Sequence, residues 1–286
     1  MPAPRIAIAT CASYDREMVD DELLAGALTE RGCEAEALAW DDPKVDWSAF
    51  DLCLIRSTWD YHDKHRELLT WTRRVEAATK LQNPADLVAW NIDKTYLREL
   101  AERGVPIVPT VWVDRDDGAA LDEVLAAEGW DAAVVKPAID LGARNLHRAR
   151  VGKRSRALEL ALQRSPKAMV QPFLPSLETD GELSLTFIDG KLTHAVRKRA
   201  AAGDFRVQSI WGGTTVRVDP RPAELQLAEQ ALTQLEGPPL YARVDVVAGL
   251  DGAPCLIELE LIEPNLYLTH HPPAAEALAD AALNLL

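Results

Sequence analysis

The chain has 286 residues, 48% of them hydrophobic, and its 45 acidic against 31 basic residues give a formal net charge of −14. That length suits two or three packed lobes with a sizeable core. The acidic balance excludes a general role on nucleic acid or an anionic membrane. Cys11, Cys33, Cys53 and Cys255 stand far apart in or beside apolar runs, without a Cys-x-x-Cys, and read as buried free thiols of a reducing compartment. With no apolar leader and no run approaching a membrane span, the expectation is a soluble cytoplasmic protein.

Arg5 to Thr10 reads as a buried strand. A helix follows from Asp15 to Arg31, ending at Gly32, and then strands over Ala35 to Trp40 and Phe50 to Ser57. Strand, helix and strand in succession imply a parallel sheet, whose carboxyl ends collect ligands. Arg56, Ser57, Trp59, Asp60 and Tyr61 stand at such an end. They suit a small zwitterion, with Arg56 for a carboxylate, Asp60 for an ammonium and an aromatic wall. The alternative is that Trp59 and Tyr61 only pack beneath a loop.

A helix from Lys64 to Ala78 presents Leu68, Trp71, Val75 and Ala78 along one face. Asn83-Pro84 reads as a turn, and Asp93 as the N-cap of a helix ending near Gly104. Lys94 lies in that helix's first turn, where a cation gains nothing from the helix dipole, so it is a candidate phosphate ligand. A helix over Ala119 to Glu128 precedes the strand Ala132 to Lys136. The basic loop Ala138 to Arg150, with Gly142, Arg144, His147 and Arg148, resembles a phosphate cover. His147 reads as a surface or packing residue, His62 and His65 lie three apart as many surface helix pairs do, and His270-His271 lacks the spacing of metal ligands.

A helix over Ser155 to Arg164 leads to a strand-like run, Ala168 to Leu174. Gly181 to Ile188 alternates, with Glu182, Ser184 and Thr186 on one face, and Asp189-Gly190 turns it into Lys191 to Lys198. The stretch from Ala202 to Thr215 holds Arg206 and Gly212-Gly213. Helices over Ala223 to Leu235 and Ala274 to Leu286 flank one more hairpin.

That hairpin joins Tyr241 to Val247 and Cys255 to Leu261. If Asp251-Gly252 is a two-residue type I′ turn, Asp245 faces Glu258 and Arg243 faces Glu260. These four charges then share one face, opposite the apolar face of Val244, Val246, Ile257 and Leu259. A lone Glu-x-Glu reads as a solvated strand face with a cross-strand Arg/Glu pair. Here three carboxylates crowd one arginine, and Glu263-Pro264-Asn265 follows at once. Like charges so placed need a further cation, and hard oxygen ligands suit Mg²⁺ with a phosphate substrate.

Lys94 and Lys136, the run Gln171-Pro172-Phe173-Leu174, Gly181-Glu182, Gly203-Asp204-Phe205-Arg206, Gly212-Gly213, Arg243-x-Asp245 and Glu258-x-Glu260 occur in an order that resembles the ATP-grasp carboxylate ligases. The resemblance runs from about Asn91 to the C-terminus. The Gly203 to Gly213 stretch is similar to the glutathione synthetase and ribosomal-protein glutamate ligase branch. The segments IRSTWDYH, AWNIDKTYL and LELIEPNLYL look closest to the D-cycloserine-forming cyclo-ligases that act on O-ureido-D-serine.

The resemblance implies an α/β (α+β) ATP-grasp fold of three lobes: an N-terminal parallel α/β substrate domain (1–91), a small lobe with the phosphate loop (92–170) and a C-terminal lobe with the metal site (171–286). It implies ATP and two Mg²⁺ ions, with Mn²⁺ as the alternative. Lys94, Lys136, Gly142 and Arg144 would hold phosphate, Gln171, Phe173 and Leu174 the adenine side, and Glu182 the ribose. Lys198 and Arg206 would approach the γ-phosphate, and Arg243 the tetrahedral intermediate. Asp245, Glu258 and Glu260 would hold metal, while Gly212 and Gly213 would join Arg56, Ser57, Trp59 and Asp60 around an amino-acid-like substrate. Two departures stand out: the third metal position, often asparagine, is Glu260, and the phosphate loop is poor in glycine. The reaction implied is carboxylate activation as an acyl phosphate followed by amine attack, cyclising or intermolecular. The alternatives are a dipeptide- or glutamate-adding ligase and a nucleotide-binding module without turnover. No nucleic acid or membrane partner is expected, and the chain would be a monomer or homodimer.

Overall fold

The structure is a computed structural model describing residues 2–12 and 19–286. The expected helix from Asp15 begins outside the described residues and is seen from Val19 onward. Short β-branched and apolar runs separated by helical segments give the first layer: β1 (Arg5–Thr10), α1 (Val19–Glu30), β2 (Glu34–Ala39), β3 (Leu52–Ile55), α2 (His65–Ala78) and β4 (Lys80–Gln82). Its sheet is parallel, in the order β2-β1-β3-β4. Leu68, Trp71 and Val75 of α2 are buried against it, while Ala78 at the helix end is exposed. Two short helices follow, α3 (Ala85–Asn91) and α4 (Tyr96–Glu102).

The middle layer comprises β5 (Val111–Asp114), α5 (Leu121–Glu128), β6 (Ala132–Pro137), β7 (His147–Arg150), α6 (Ala157–Arg164) and β8 (Lys167–Pro172). Its antiparallel sheet runs β5-β8-β6-β7. Ala133, Val135, Ala168 and Val170 point into a core shared with α5 and α6. The alternate residues Val134, Lys136 and Gln171 therefore face the other way, into the central cavity. The basic loop is shorter than its sequence suggests, because His147 to Arg150 pairs with β6 as an edge strand.

After α7 (Ser176–Thr179), the last sheet is built from β9 (Glu182–Ile188), β10 (Lys191–Arg199), β11 (Thr214–Val218), β12 (Tyr241–Ala248) and β13 (Pro254–Glu260), with α8 (Pro222–Leu232) behind it. The order is β11-β10-β9-β12-β13. One face buries Leu183, Leu185, Phe187, Val244 and Leu259 against α8 and α4, each fully buried side chain contributing ~1.5–3 kcal/mol. The closing helix α9 (Pro273–Leu283) returns to the first layer and packs with α1. No helix among the described residues is long and apolar enough to cross a membrane. Cys11, Cys33, Cys53 and Cys255 form no disulfide among the described residues, with Cys255 only half-buried.

The hairpin turn differs from expectation. Ala248 faces Pro254, the amide of Gly249 donates to Ala253 O at 2.7 Å, and Gly252 has φ of +82° while Asp251 has no positive φ. This is a three-residue loop ending in a left-handed glycine, because a type I′ turn would need both central residues at positive φ. A bulge between Asp245 and Val246 restores the register, so Arg243 still faces Glu260 and Asp245 still faces Glu258. The bulge also turns Leu256 into the core, while Ile257, expected on the apolar face, lines the cavity.

Candidate active site

The polar face of the last sheet carries the charged residues in rows. Lys198 lies opposite Glu182, Ser184 opposite Asp245, Asp245 opposite Glu258, and Arg243 opposite Glu260. Gly181 makes the start of β9 possible: its φ is +76°, and a Cβ there would sit 2.1 Å from Lys198 O.

Strand β13 is the outer strand of its sheet, yet its edge is covered. Leu256 exchanges backbone hydrogen bonds with Pro106 O at 2.9 Å and Val108 N at 3.0 Å. Further along, Asn91 donates to Leu259 O at 2.8 Å and accepts from Leu261 N at 2.9 Å. The Tyr96 hydroxyl accepts from Leu259 N at 2.9 Å. Asn83 donates to Tyr241 O and Leu261 O and accepts from Leu240 N. With the backbone of Leu256, Leu259 and Leu261 held from outside, Glu258 and Glu260 are aimed at the cavity. Asn83 is thus a clamp between layers as well as a turn residue.

Lys94 and Lys136 meet because the amide of Lys94 donates to Ala138 O at 3.0 Å, tying the start of α4 to the end of β6. Lys94 Nζ lies 3.1 Å from Glu258 Oε1 and donates to Asp140 O at 2.5 Å. Lys136 is 9% exposed. It has no ion pair and no hydrogen bond among the described residues, and burial pulls its ammonium below the usual lysine range, with Glu258 opposing. Over it lies the loop 138–146, closed by Asn145 Nδ2 donating to Asp140 Oδ1 at 2.9 Å. Ala143 adopts φ of +55° beside Gly142 at +68°, a glycine's conformation met by alanine at a cost of ~1–2 kcal/mol. Trp211 Nε1 donates to Gly142 O at 3.2 Å and joins this loop to the 200–213 segment. There the Arg206 guanidinium stacks 3.6 Å over Trp211 and forks onto Asp204.

Arg243 is the hub of the charged wall. It bonds Asp245 at 2.8 Å, Glu260, and Asn265 O at 3.2 Å. Lys198 pairs with Glu182 and with Asp245 at 3.3 Å, and the Ser184 hydroxyl donates to Asp245 at 2.5 Å. Burial would raise Asp245, but Arg243 and Lys198 outweigh it and hold the carboxyl well below its usual range. Burial would also raise Glu258, and Lys94 and Lys136 lower it. Burial lifts Glu260 to about 7, with Arg243 opposing and Glu258 and Asp245 adding to the lift. Glu182 is likewise raised to about 7 by burial, against Lys198.

Among the described residues no three His, Cys, Asp or Glu side chains converge as a metal cage. Asp245, Glu258 and Glu260 share the cavity, but Asp245 is drawn onto Arg243, Lys198 and Ser184. Glu258 and Glu260 still fit a divalent ion, since Mg²⁺ needs only one or two carboxylates beside phosphate and water.

The first part of the chain, residues 6–83, matches the family described as "D-cycloserine synthetase DcsG, N-terminal domain". The cycloserine biosynthesis protein DcsG of Streptomyces lavendulae is 34% identical over 263 residues, 87% of this chain and 88% of that protein. The chain belongs to the D-cycloserine synthetase family. The crystal structure of D-cycloserine synthetase DcsG superposes with a TM-score of 0.88 at 32% identity, covering 99% of this chain and all of that one. D-alanine–D-alanine ligase from Bacillus anthracis shares the fold at a TM-score of 0.72 and 17% identity, over 99% of this chain and 97% of that one. The D-cycloserine synthetase family member described here is a ligase of the ATP-grasp fold.

Several expected site residues stand elsewhere in this chain. Asp60 accepts from Trp40 Nε1 at 2.8 Å and pairs with Lys64 at 3.0 Å, so it is spent away from the cavity. Arg56 is 2% exposed, donates to Pro264 O at 2.8 Å and lies 3.5 Å from Asp21, to which Ser57 also donates. Arg56 buttresses the 263–265 turn from behind, and Ser57 is held by Asp21 beside it. Of this group, Trp59 lines the cavity. Gly213 serves packing, since a Cβ there would meet Val207 O at 2.1 Å, and Gly212 needs its φ of +81°; neither lines the cavity. At the far end, Gln171 donates to Thr110 Oγ1 at 2.9 Å, beside an apolar slot of Val108, Val134, Leu174, Leu177 and Ile257. Phe173 carries Arg148 3.4 Å above its ring. Glu263, Asn91 and Tyr96 escape sequence reading as site residues. The signal for Glu263 was its place three residues after the Glu-x-Glu.

Proposed function

We propose that this chain is an ATP- and Mg²⁺-dependent, ADP-forming carbon–nitrogen ligase. It would activate the carboxylate of an amino-acid-like substrate as an acyl phosphate and close it onto an internal nitrogen, as for an O-ureido-D-serine-type substrate. The observation that carries this reading is Lys136, a buried ammonium facing the cavity with no bonded partner among the described residues. Such a group awaits an anion. The apolar slot beside Gln171 accommodates a flat nucleobase, and Lys94 and Lys136 take phosphate oxygens below the 138–146 loop. Glu258 and Glu260 would hold Mg²⁺, which supplies charge neutralisation on the phosphates.

The remaining work falls to this chain's own side chains. Lys198 and Arg206 approach the transferred group. Arg243, once released from part of its carboxylate pairing, steadies the oxyanion that forms when nitrogen attacks the acyl carbon, a donor worth ~10²-fold or more in rate. No nucleophilic serine, cysteine or histidine is needed. The setting is cytoplasmic in this reading, and the partner is a small molecule.

The test is ADP release with Mg²⁺-ATP against amino acids and aminooxy amino acids, including O-ureido-D-serine, each with and without a second amine. Stimulation by O-ureido-D-serine alone supports cyclisation. A requirement for two substrates moves the chain to an intermolecular, dipeptide- or glutamate-adding ligase. Nucleotide binding without stimulation by any substrate favours a binding module. Glu258→Gln should abolish ADP formation, and full retention would count against its metal role.

A further inference from the structure

Most of the cavity carboxylates have a cation. Asp245 has Arg243 and Lys198, Glu258 has Lys94, Glu260 has Arg243, and Glu182 has Lys198. Glu263 lines the same cavity, is 4% exposed, and has no Lys, Arg or His within ion-pair distance among the described residues. Its carboxyl group is bonded to the buried Tyr61 side chain. Its placement is elaborate. Trp59 Nε1 donates to Glu263 O at 3.0 Å, Arg56 Nη2 to Pro264 O at 2.8 Å, and Arg243 Nη1 to Asn265 O at 3.2 Å.

The segment that reads in sequence as a zwitterion grip is therefore a socket for this one carboxylate. A buried carboxylate without a cation is costly unless a ligand brings one or the group stays protonated. A fixed backbone makes retreat to solvent impossible. Burial, with Glu260 adding, lifts the Glu263 carboxyl to about 8, the behaviour of an acid awaiting a positive partner. Glu263 has Trp59 on its carbonyl and Glu260 as a charged neighbour and is not one of the residues of the apolar slot that suits a nucleobase, so the partner belongs to the second substrate.

Resting on the reading of an amino-acid-like substrate, we propose that Glu263 accepts the α-ammonium group of that substrate, the role that Asp60 would have in the sequence reading. Tyr61 orients the carboxylate and Trp59 walls the site. A charge-assisted hydrogen bond of this kind distinguishes an amino acid from its deamino analogue.

The experiment measures binding of O-ureido-D-serine and of the same molecule lacking its α-amino group, by calorimetry on the full chain with a non-hydrolysable ATP analogue and Mg²⁺. The wild type is expected to prefer the amino compound by ~10-fold or more, and Glu263→Gln to bind the two alike while keeping its affinity for the nucleotide analogue. Glu263→Asp, which retracts the charge by one methylene, should keep part of the preference and serves if the glutamine variant does not fold. An unchanged preference in the variants overturns the assignment. If the wild type binds neither compound but turns over ATP with another amino acid, the O-ureido-D-serine reading falls, and that amino acid with its deamino analogue then decides Glu263 by the same ratio. Failure of every amino acid to bind overturns both.

Discussion

Replacing Lys136 by methionine should separate stability from function with opposite signs. The side chain is 9% exposed, and burial is the leading influence on its ammonium, lowering its pKa. A lysine with a depressed folded pKa costs stability while both states are protonated, and the cost fades as pH rises through the folded value. Exchanging a poorly compensated buried charge for an apolar side chain of similar volume is neutral or stabilising by ~1–4 kcal/mol. For a chain of this size each kcal/mol moves Tm by ~2–4 °C, so nucleotide-free Lys136→Met should melt at the wild-type temperature or several degrees above it. Losing a charged hydrogen bond to phosphate costs ~1.5–3 kcal/mol, or ~10- to 150-fold in Kd. Thermal unfolding without nucleotide, paired with calorimetric titration of a non-hydrolysable ATP analogue, reads both quantities. A variant that binds the analogue as well as wild type, or that is destabilised by more than ~1 kcal/mol without it, would refute the reasoning.

Asn91→Leu strips the Leu259 carbonyl and Leu261 amide of their partners and should cost ~2–5 kcal/mol in denaturant unfolding, with a fall in kcat as Glu258 and Glu260 lose their aim. Gly181→Ala would bring a Cβ to 2.1 Å from Lys198 O at a φ of +76°; a loss of ~2–5 kcal/mol is expected, and wild-type stability would contradict the close approach. Glu263 is raised to about 8, so the fold holds a proton that the unfolded chain has released above its ordinary range near 4.5. Stability should therefore decline as pH rises from ~4.5 to ~8 and level off beyond, and Glu263→Gln should flatten that slope in urea midpoints taken across the range. Ala143→Gly, relieving a φ of +55°, should leave Tm unchanged or raise it by the equivalent of up to ~1 kcal/mol; a clear fall would mean that the methyl group packs usefully.

Strand and helix periods and Gly and Pro punctuation were local properties, and they sufficed for the α/β layout and the face shared by Arg243, Asp245, Glu258 and Glu260, while the order of the motifs carried the resemblance to the ATP-grasp ligases. Even the hairpin register came out correctly at that face, through two compensating errors: a turn one residue longer than expected and a bulge that returns the residue. Neither was legible, because turn type near Gly249 depends on backbone angles that several sequences share, and a bulge depends on what the strand packs against.

Tertiary structure alone decided which groups remain unpaired. Asp60 and Glu263 are both carboxylates in suggestive motifs, yet Lys64 and Trp40 claim the first, while Tyr61 and a fixed turn leave the second facing the cavity. Asn83 reads only as a turn residue and Asn91 carries no reading of its own, because nothing local tells an asparagine that it lies against another strand's edge. Propensity and pattern are carried by neighbours along the chain, whereas the charge balance of a buried site is set by which side chains arrive from segments as many as 208 positions apart, as when Arg56 reaches Pro264.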